Sequence, residues 1–163
     1  MKTVIIGGVA GGASTAARLR RNDENAEIVL VERGNYVSYA NCGLPYYIGG
    51  TIEEREKLFV QTPEKLEATF NIDVRVQTEA LDIDRESKTL RLKDLKSGEV
   101  YEESYDNLVL SPGAEPVKPP IPGIQDPAIF TLRSVKETDA IKSFLDEQQP
   151  KRAVVVGGGF IGL

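Results

Sequence analysis

The residues best placed to do chemistry are Ser38-Tyr39-Ala40-Asn41-Cys42-Gly43-Leu44-Pro45-Tyr46-Tyr47-Ile48-Gly49-Gly50. This stretch holds the only cysteine of the 163 residues, after a short β-type run and among glycines and tyrosines. A cysteine that merely fills a core behaves as a small hydrophobe and more often has aliphatic neighbours. Cys42 instead lies between two glycine turns of nucleotide-binding type, one opening at Gly7 and one at Gly157, so a redox cofactor would give its sulfur work to do. It reads as a redox nucleophile. The reactive form of such a sulfur is the thiolate, and the loop must stabilise that anion in a chain with no histidine.

The elements that must position this loop begin with Thr3-Val4-Ile5-Ile6, a continuous apolar run of the kind a buried parallel strand shows. It feeds into Gly7-Gly8-Val9-Ala10-Gly11-Gly12, after which a helix is expected. Ala13, Ala16, Ala17 and Leu19 give that helix a small-residue face for close approach to a sheet, while Arg18 and Arg21 share another face. Ile28-Val29-Leu30-Val31 reads as the second strand and ends on Glu32, twenty residues after Gly12. Strand, glycine turn, helix, strand and acid form the dinucleotide fingerprint in its required context. The turn brings backbone to a pyrophosphate at a helix N-terminus, and the acid accepts from a ribose hydroxyl. The third position of the pattern is Val9 where glycine is required, and a purely structural glycine turn is the competing reading of these residues.

Further along, Thr62-Pro63 is an N-cap followed by proline at the first helical position, opening a short helix over 64–70. The segment 73–84, the alternating run 88–95, the turn Lys96-Ser97-Gly98 and the return 99–105 read as an antiparallel meander beside the main sheet. Asn107-Leu108-Val109-Leu110 reads as another buried strand, ending at Ser111-Pro112-Gly113, a tight turn able to meet a ligand. Five prolines between Ala114 and Pro127 make a connector that cannot be helical, and the domain boundary is set there, dividing 1–113 from 114–163. Ser134 and Glu137 form a capping-box pattern for a helix running to about residue 147. A new strand is expected over 152–156, followed by Gly157, Gly159 and Gly162, which match all three glycine positions of a second dinucleotide turn. The chain ends there, so the second nucleotide domain is read as cut at its first strand.

Composition narrows the function classes. With 40% hydrophobic and 28% charged residues the chain is that of a soluble globular protein. No apolar run approaches the roughly 18 residues of a membrane span, and no basic n-region precedes Thr3, so a cytoplasmic protein without a membrane partner is expected. No histidine and one cysteine leave no ordinary zinc or copper site, and no carboxylate spacing suggests another metal. A net charge of −5 argues against nucleic acid, although the cluster Arg18, Arg20, Arg21 could hold the phosphates of a small anion.

Taken together, these residues resemble the flavin-dependent pyridine nucleotide-disulfide oxidoreductases, and within them the single-cysteine branch of coenzyme A-disulfide reductases, persulfide reductases, NADH oxidases and NADH peroxidases. The resemblance spans the entire chain as the amino-terminal third of a longer protein. Its most specific part is Ser38 to Tyr46, which looks like the coenzyme A-disulfide reductase form. The dithiol branch would have a second cysteine at the position of Tyr47, and the oxidases and peroxidases a histidine at that of Ala10. The branch often lacks the middle glycine, which accounts for Val9.

The resemblance implies an α/β fold: a Rossmann-like FAD-binding domain, with parallel sheet and antiparallel meander, followed by the first strand of a truncated dinucleotide-binding domain. It implies FAD held by Gly7, Gly8, Gly12, Glu32, Arg33, Asn41, Cys42, Ala80, Ser111, Pro112, Gly113 and Arg133. NADH or NADPH would lie on Gly157, Gly159 and Gly162, and coenzyme A on Arg18, Arg21, Ser38 and Asn41. For the arginines and the polar turn, a solvated helix face is the competing reading. The implied reaction is NAD(P)H-dependent reduction of coenzyme A disulfide, or of a related small disulfide or persulfide, through Cys42 in a homodimer. Two alternatives stand beside it: an oxidase or peroxidase cycling through a sulfenate, which Ala10 disfavours, and a nucleotide-binding piece without activity of its own.

Overall fold

The apolar run near the amino terminus forms β1 (Lys2–Ile6), where Thr3, Val4 and Ile5 are buried on both faces of a sheet. The computed structural model describes residues 1–159, which divide into a unit Met1–Glu115 and a second that begins at Pro116. In the first, β2 (Glu27–Val31) and β7 (Asn107–Leu110) flank β1, and β3 (Asp73–Arg75) lies outside β2, giving the parallel order β3-β2-β1-β7. The register aligns Ile6 with both Val31 and Leu110. The chain therefore leaves all three strands at one edge, delivering Gly7, Glu32 and Ser111 side by side, as parallel sheets do with their ligand-facing loops.

Side-chain alternation along β1 and β2 makes two cores, since successive residues point to opposite faces. Ile5, Ile28 and Leu30 pack with Ala16 of α1 (Ala10–Asn22), Leu66 of α3 (Pro63–Phe70) and Ile72. Val4, Val29 and Val31 pack against Leu90 and Leu92 of the meander β4 (Thr78–Asp84), β5 (Thr89–Asp94), β6 (Val100–Ser104). Full burial of each such aliphatic side chain contributes about 1.5–3 kcal/mol.

Local signals account for several boundaries. Thr62 Oγ1 accepts from the Lys65 amide at 3.3 Å with Pro63 at the first helical position, and Asn71 ends α3 in the left-handed region at φ 46°. Gly98 turns the β5–β6 hairpin at φ 79°, while Asp94 Oδ1 accepts from the amides of Lys96 and Ser97.

Two sequence expectations change in this unit. The segment 73–84 is not one strand of the meander. Gln77 at φ 52° breaks it, so Asp73–Arg75 joins the parallel sheet and the meander begins at Thr78. The β-type run before Cys42 makes only an isolated antiparallel bridge, Tyr39 with Phe59, because Ser38 at φ 48° turns the chain out of extended conformation. Beyond it, Asn41–Gly43 is a 3-10 turn, Leu44–Ile48 is the short helix α2, and Arg55–Leu58 is a second 3-10 turn, none of which the glycines and prolines of this stretch announce.

In the second unit, residues 116–134 contain no helix or strand, and α4 (Val135–Gln148) opens on a complete capping box between Ser134 and Glu137. Phe130 packs edge-on against Phe144 with ring centroids 5.1 Å apart. The strand expected over 152–156 is absent among the described residues. A parallel strand exists by pairing, and no neighbour pairs with this run, whose Val154 and Val156 are 87% and 96% exposed.

Candidate functional site

The glycine turn after β1 is built on direct backbone contact. A Cβ on Gly7 would stand 2.0 Å from the Ser111 carbonyl oxygen, and Gly7 itself lies at φ +97°, so only glycine fits. A Cβ on Gly12 would stand 1.7 Å from the Gly7 carbonyl oxygen. Val9, at the position where the fingerprint has its middle glycine, occupies the N-cap of α1 without a side-chain cap bond, leaving the first-turn amides of the helix to other acceptors. Gly157 shares the positive φ, at 114°, whereas Cβ atoms on Gly157 or Gly159 would meet nothing within 4 Å, and Gly162 lies outside the described residues.

Glu32 sits at the end of β2 with both carboxylate oxygens engaged. Gly8 N–H donates to Oε2 at 2.7 Å and Gly34 N–H to Oε1 at 2.6 Å. The acid thus bridges the glycine turn and its own following turn. Arg33 next to it is exposed, 3.7 Å from Glu79 and 3.9 Å from Glu115. Ala80, half-buried on β4, precedes a bulge between Ala80 and Asp82. Ser111 donates its amide to the Ile6 carbonyl at 2.8 Å, Pro112 is exposed, and Gly113 lies at φ 74°. Arg133 belongs to the second unit, where its amide donates to Glu137 Oε2 at 2.8 Å.

The cysteine loop is leashed to this turn. Ser38 N–H donates to the Gly8 carbonyl at 2.9 Å, and the Ser38 carbonyl accepts from the amides of Val60 and Gln61 at 2.9 and 3.3 Å. Ala40 N–H donates to the Leu58 carbonyl at 2.8 Å, closing the far side of the loop. Cys42 is exposed within the 3-10 turn that leads into α2, and Gly43 behind it is buried against Ala40, Leu58 and Ile52. Asn41 Oδ1 is buried with no hydrogen-bond partner among the described residues, an acceptor directly beside the sulfur-bearing residue. Sequence reasoning missed the bracing: the Arg55 guanidinium lies 5.2 Å from both the Tyr36 and Phe59 ring centroids and donates to the Tyr36 hydroxyl at 3.0 Å. Nothing local to Arg55 signals a role 19 residues from Tyr36.

The three arginines of α1 separate by contact. Arg20 is consumed structurally, donating to the carbonyls of Phe70 at 2.7 Å, Asn71 at 2.8 Å and Glu24 at 2.5 Å. Arg21 lies 5.9 Å over the Phe70 ring, and Arg18 and Arg21 are both exposed. Among the described residues no group of three or more His, Cys, Asp or Glu could hold a metal ion, and no helix is long and apolar enough to cross a membrane.

The chain as a whole is similar to known proteins. The family model described as pyridine nucleotide-disulphide oxidoreductase matches residues 1–163. The chain belongs to this family. A curated family member, coenzyme A disulfide reductase of Staphylococcus haemolyticus, is 40% identical over 162 residues, covering 99% of this chain and 36% of its own length. The chain therefore spans about a third of that relative. Among solved structures, reduced Bacillus anthracis CoADR-RHD is 58% identical with a TM-score of 0.95, over 99% of this chain and 29% of that one. An NAD-dependent persulfide reductase from A. fulgidus is 43% identical with a TM-score of 0.94, over 100% and 30% respectively.

Proposed function

We propose that this chain is the FAD-binding and sulfur-bearing part of an NAD(P)H-dependent flavoprotein that reduces coenzyme A disulfide, or a related small disulfide or persulfide, through Cys42. The single observation that carries the reading is the hydrogen bond from Ser38 N–H to the Gly8 carbonyl, which ties the cysteine loop to the dinucleotide turn. Likeness to a coenzyme A disulfide reductase and a persulfide reductase supports the substrate class.

FAD suits the residues present. Gly7 and Gly12 allow the turn after β1 to close tightly on Ser111 and on α1, Glu32 offers carboxylate oxygens at the end of β2, and Asn41 offers an unpartnered buried acceptor beside Cys42. Bound there, FAD supplies a two-electron relay between reduced pyridine nucleotide and sulfur.

The chain's own part is nucleophilic. Cys42 thiolate attacks one sulfur of the disulfide, forming a Cys42–S–S–R bond as the other sulfur leaves as a thiolate that takes a proton. Two electrons then cleave the mixed disulfide and return Cys42 as thiolate with a second thiol released. Exposed Arg18 and Arg21 are the residues of α1 left to hold coenzyme A phosphates, and Ser38 and Asn41, half-buried in the cysteine loop, are assigned to the same substrate. From the sequence pattern, Gly157, Gly159 and Gly162 are assigned to the pyridine nucleotide, Gly162 lying outside the described residues. The intact protein is read as a cytoplasmic homodimer.

The test is the mass of the Cys42 peptide from the intact protein purified without reductant. A reducible adduct of coenzyme A mass is expected. A sulfur adduct without coenzyme A would move the substrate to persulfides, and an oxygen adduct would overturn the reading in favour of an oxidase or peroxidase.

A further inference from the structure

We propose that Glu103 is a positioning residue for Glu32: it pins β3 beneath the meander and thereby fixes the acid that meets the adenosine ribose, an inference that rests on the flavin reading above. Glu103, on β6, is 9% exposed and sits between two cations from the parallel sheet, Lys2 of β1 at one oxygen and Arg75 of β3 at the other. Arg75 is gripped further by Asp73 Oδ2 at 2.6 Å and stacks 5.8 Å from the Tyr101 ring. A three-residue edge strand has little ladder of its own. This cluster is what joins it to β1 and β6.

The consequence reaches Glu32 through backbone. The Arg75 carbonyl accepts from Glu32 N–H at 2.9 Å, Thr78 N–H donates to the Glu32 carbonyl at 3.0 Å, and Gln77 N–H donates to the Gly34 carbonyl at 3.0 Å. The corner between β3 and β4 thus clasps residues 32–34 along their main chain, and the Glu32 carboxylate is aimed at Gly8 from that clasp. Burial pushes the Glu103 carboxyl up, and the hydrogen bonds from Lys2 and Arg75 outweigh it, holding the group below the ordinary glutamate value and therefore charged. A neutral amide of the same shape would leave two cations facing one acceptor oxygen and an N–H₂ group, loosening β3 without opening a cavity.

The experiment is a double-mutant cycle on FAD affinity in the intact apoprotein, titrated with FAD and read by flavin fluorescence, using wild type, Glu103→Gln, Glu32→Gln and the pair. Glu103→Gln is expected to weaken FAD about tenfold when Glu32 is present and to change affinity less than about twofold when residue 32 is glutamine, the non-additivity that marks one residue acting through another. Equal losses in both backgrounds, or none in either, overturn the proposal while the flavin reading stands. A wild-type apoprotein that takes up no FAD overturns both. Should Glu103→Gln not fold, Lys2→Gln withdraws one of the two cations and enters the same cycle with the same criteria.

Discussion

Gly12 and Gly7 touch: a Cβ on Gly12 would lie 1.7 Å from the Gly7 carbonyl oxygen and 3.1 Å from the Ile5 side chain. The obstacle is backbone, which has no rotamer to yield. Gly12→Ala must push α1 away from β1 or tilt the turn, overpacking that costs about 1–3 kcal/mol. The expected outcome is a lower denaturation midpoint together with loss of bound FAD. Gly50→Ala serves as the control, since φ +80° strains it but nothing lies within 4 Å, so it should lose stability and keep flavin.

The arginines of α1 divide by partner. Arg20→Ala removes hydrogen bonds to the last carbonyls of α3 and is expected to destabilise by about 1.5–3 kcal/mol in urea unfolding, as lost charged hydrogen bonds do. Arg18→Ala, at an exposed position, should change stability by less than about 0.5 kcal/mol. Its effect is expected instead as a raised KM for coenzyme A disulfide, and an unchanged KM would remove Arg18 from the substrate site.

Ser38 holds a left-handed φ of 48° without being glycine, strain of about 1–2 kcal/mol for an L-residue. Its amide and carbonyl both work, one to Gly8 and one to Val60 and Gln61. Relieving the strain should stabilise the folded chain, so Ser38→Gly is expected to raise the thermal midpoint. A lowered midpoint would mean that the hydroxyl contributes more than the strain takes away.

These residues also mark how much was legible in advance. Thr3 to Ile6, Pro63, and Ser134 with Glu137 announce their elements because each signal is local: an apolar run, a fixed φ, a reciprocal cap. Cys42 and the glycines were visible for the same reason. What stayed hidden is long-range or conformational. Gln77 carries no mark of its positive φ, so 73–84 reads as one strand when its first three residues belong to another sheet. The pairing of Lys2 and Arg75 with Glu103 joins residues far apart in sequence, and the charges of a solvated face look the same in a one-dimensional pattern. Arg20 illustrates the reverse, a residue grouped with possible phosphate ligands that the structure commits to carbonyls.

In α4 the cap titrates. Burial pushes Glu137 up, but hydrogen bonds from the Thr131 hydroxyl and from the amides of Ser134 and Arg133 hold it below its ordinary value of 4.5. A carboxyl whose folded value is depressed stabilises fully above its unfolded value and loses that contribution as pH falls through the folded one. Protection of the first-turn amides of α4 in hydrogen exchange, corrected for intrinsic rates, is therefore expected to be constant at neutral pH and to fall below about pH 4.5. Ser134→Ala should lower that protection at every pH by about 1 kcal/mol, and an acid-insensitive wild type would contradict the assignment.

The sulfur itself gives the sharpest expectation. Cys42 is exposed, its loop is braced from both sides by Ser38–Gly8 and Ala40–Leu58 backbone bonds, and Gly43 fills the space behind it, so replacing Sγ by a hydroxyl removes a nucleophile without disturbing packing. In the intact protein Cys42→Ser is expected to bind FAD as wild type does and to allow its reduction by NAD(P)H. Disulfide turnover should fall by a factor on the order of 10³ or more, as when a covalent nucleophile is lost. Turnover retained within tenfold of wild type would place the reduction elsewhere, whereas simultaneous loss of flavin would mean that the substitution had disturbed the site, and stopped-flow absorbance at the flavin band separates the two.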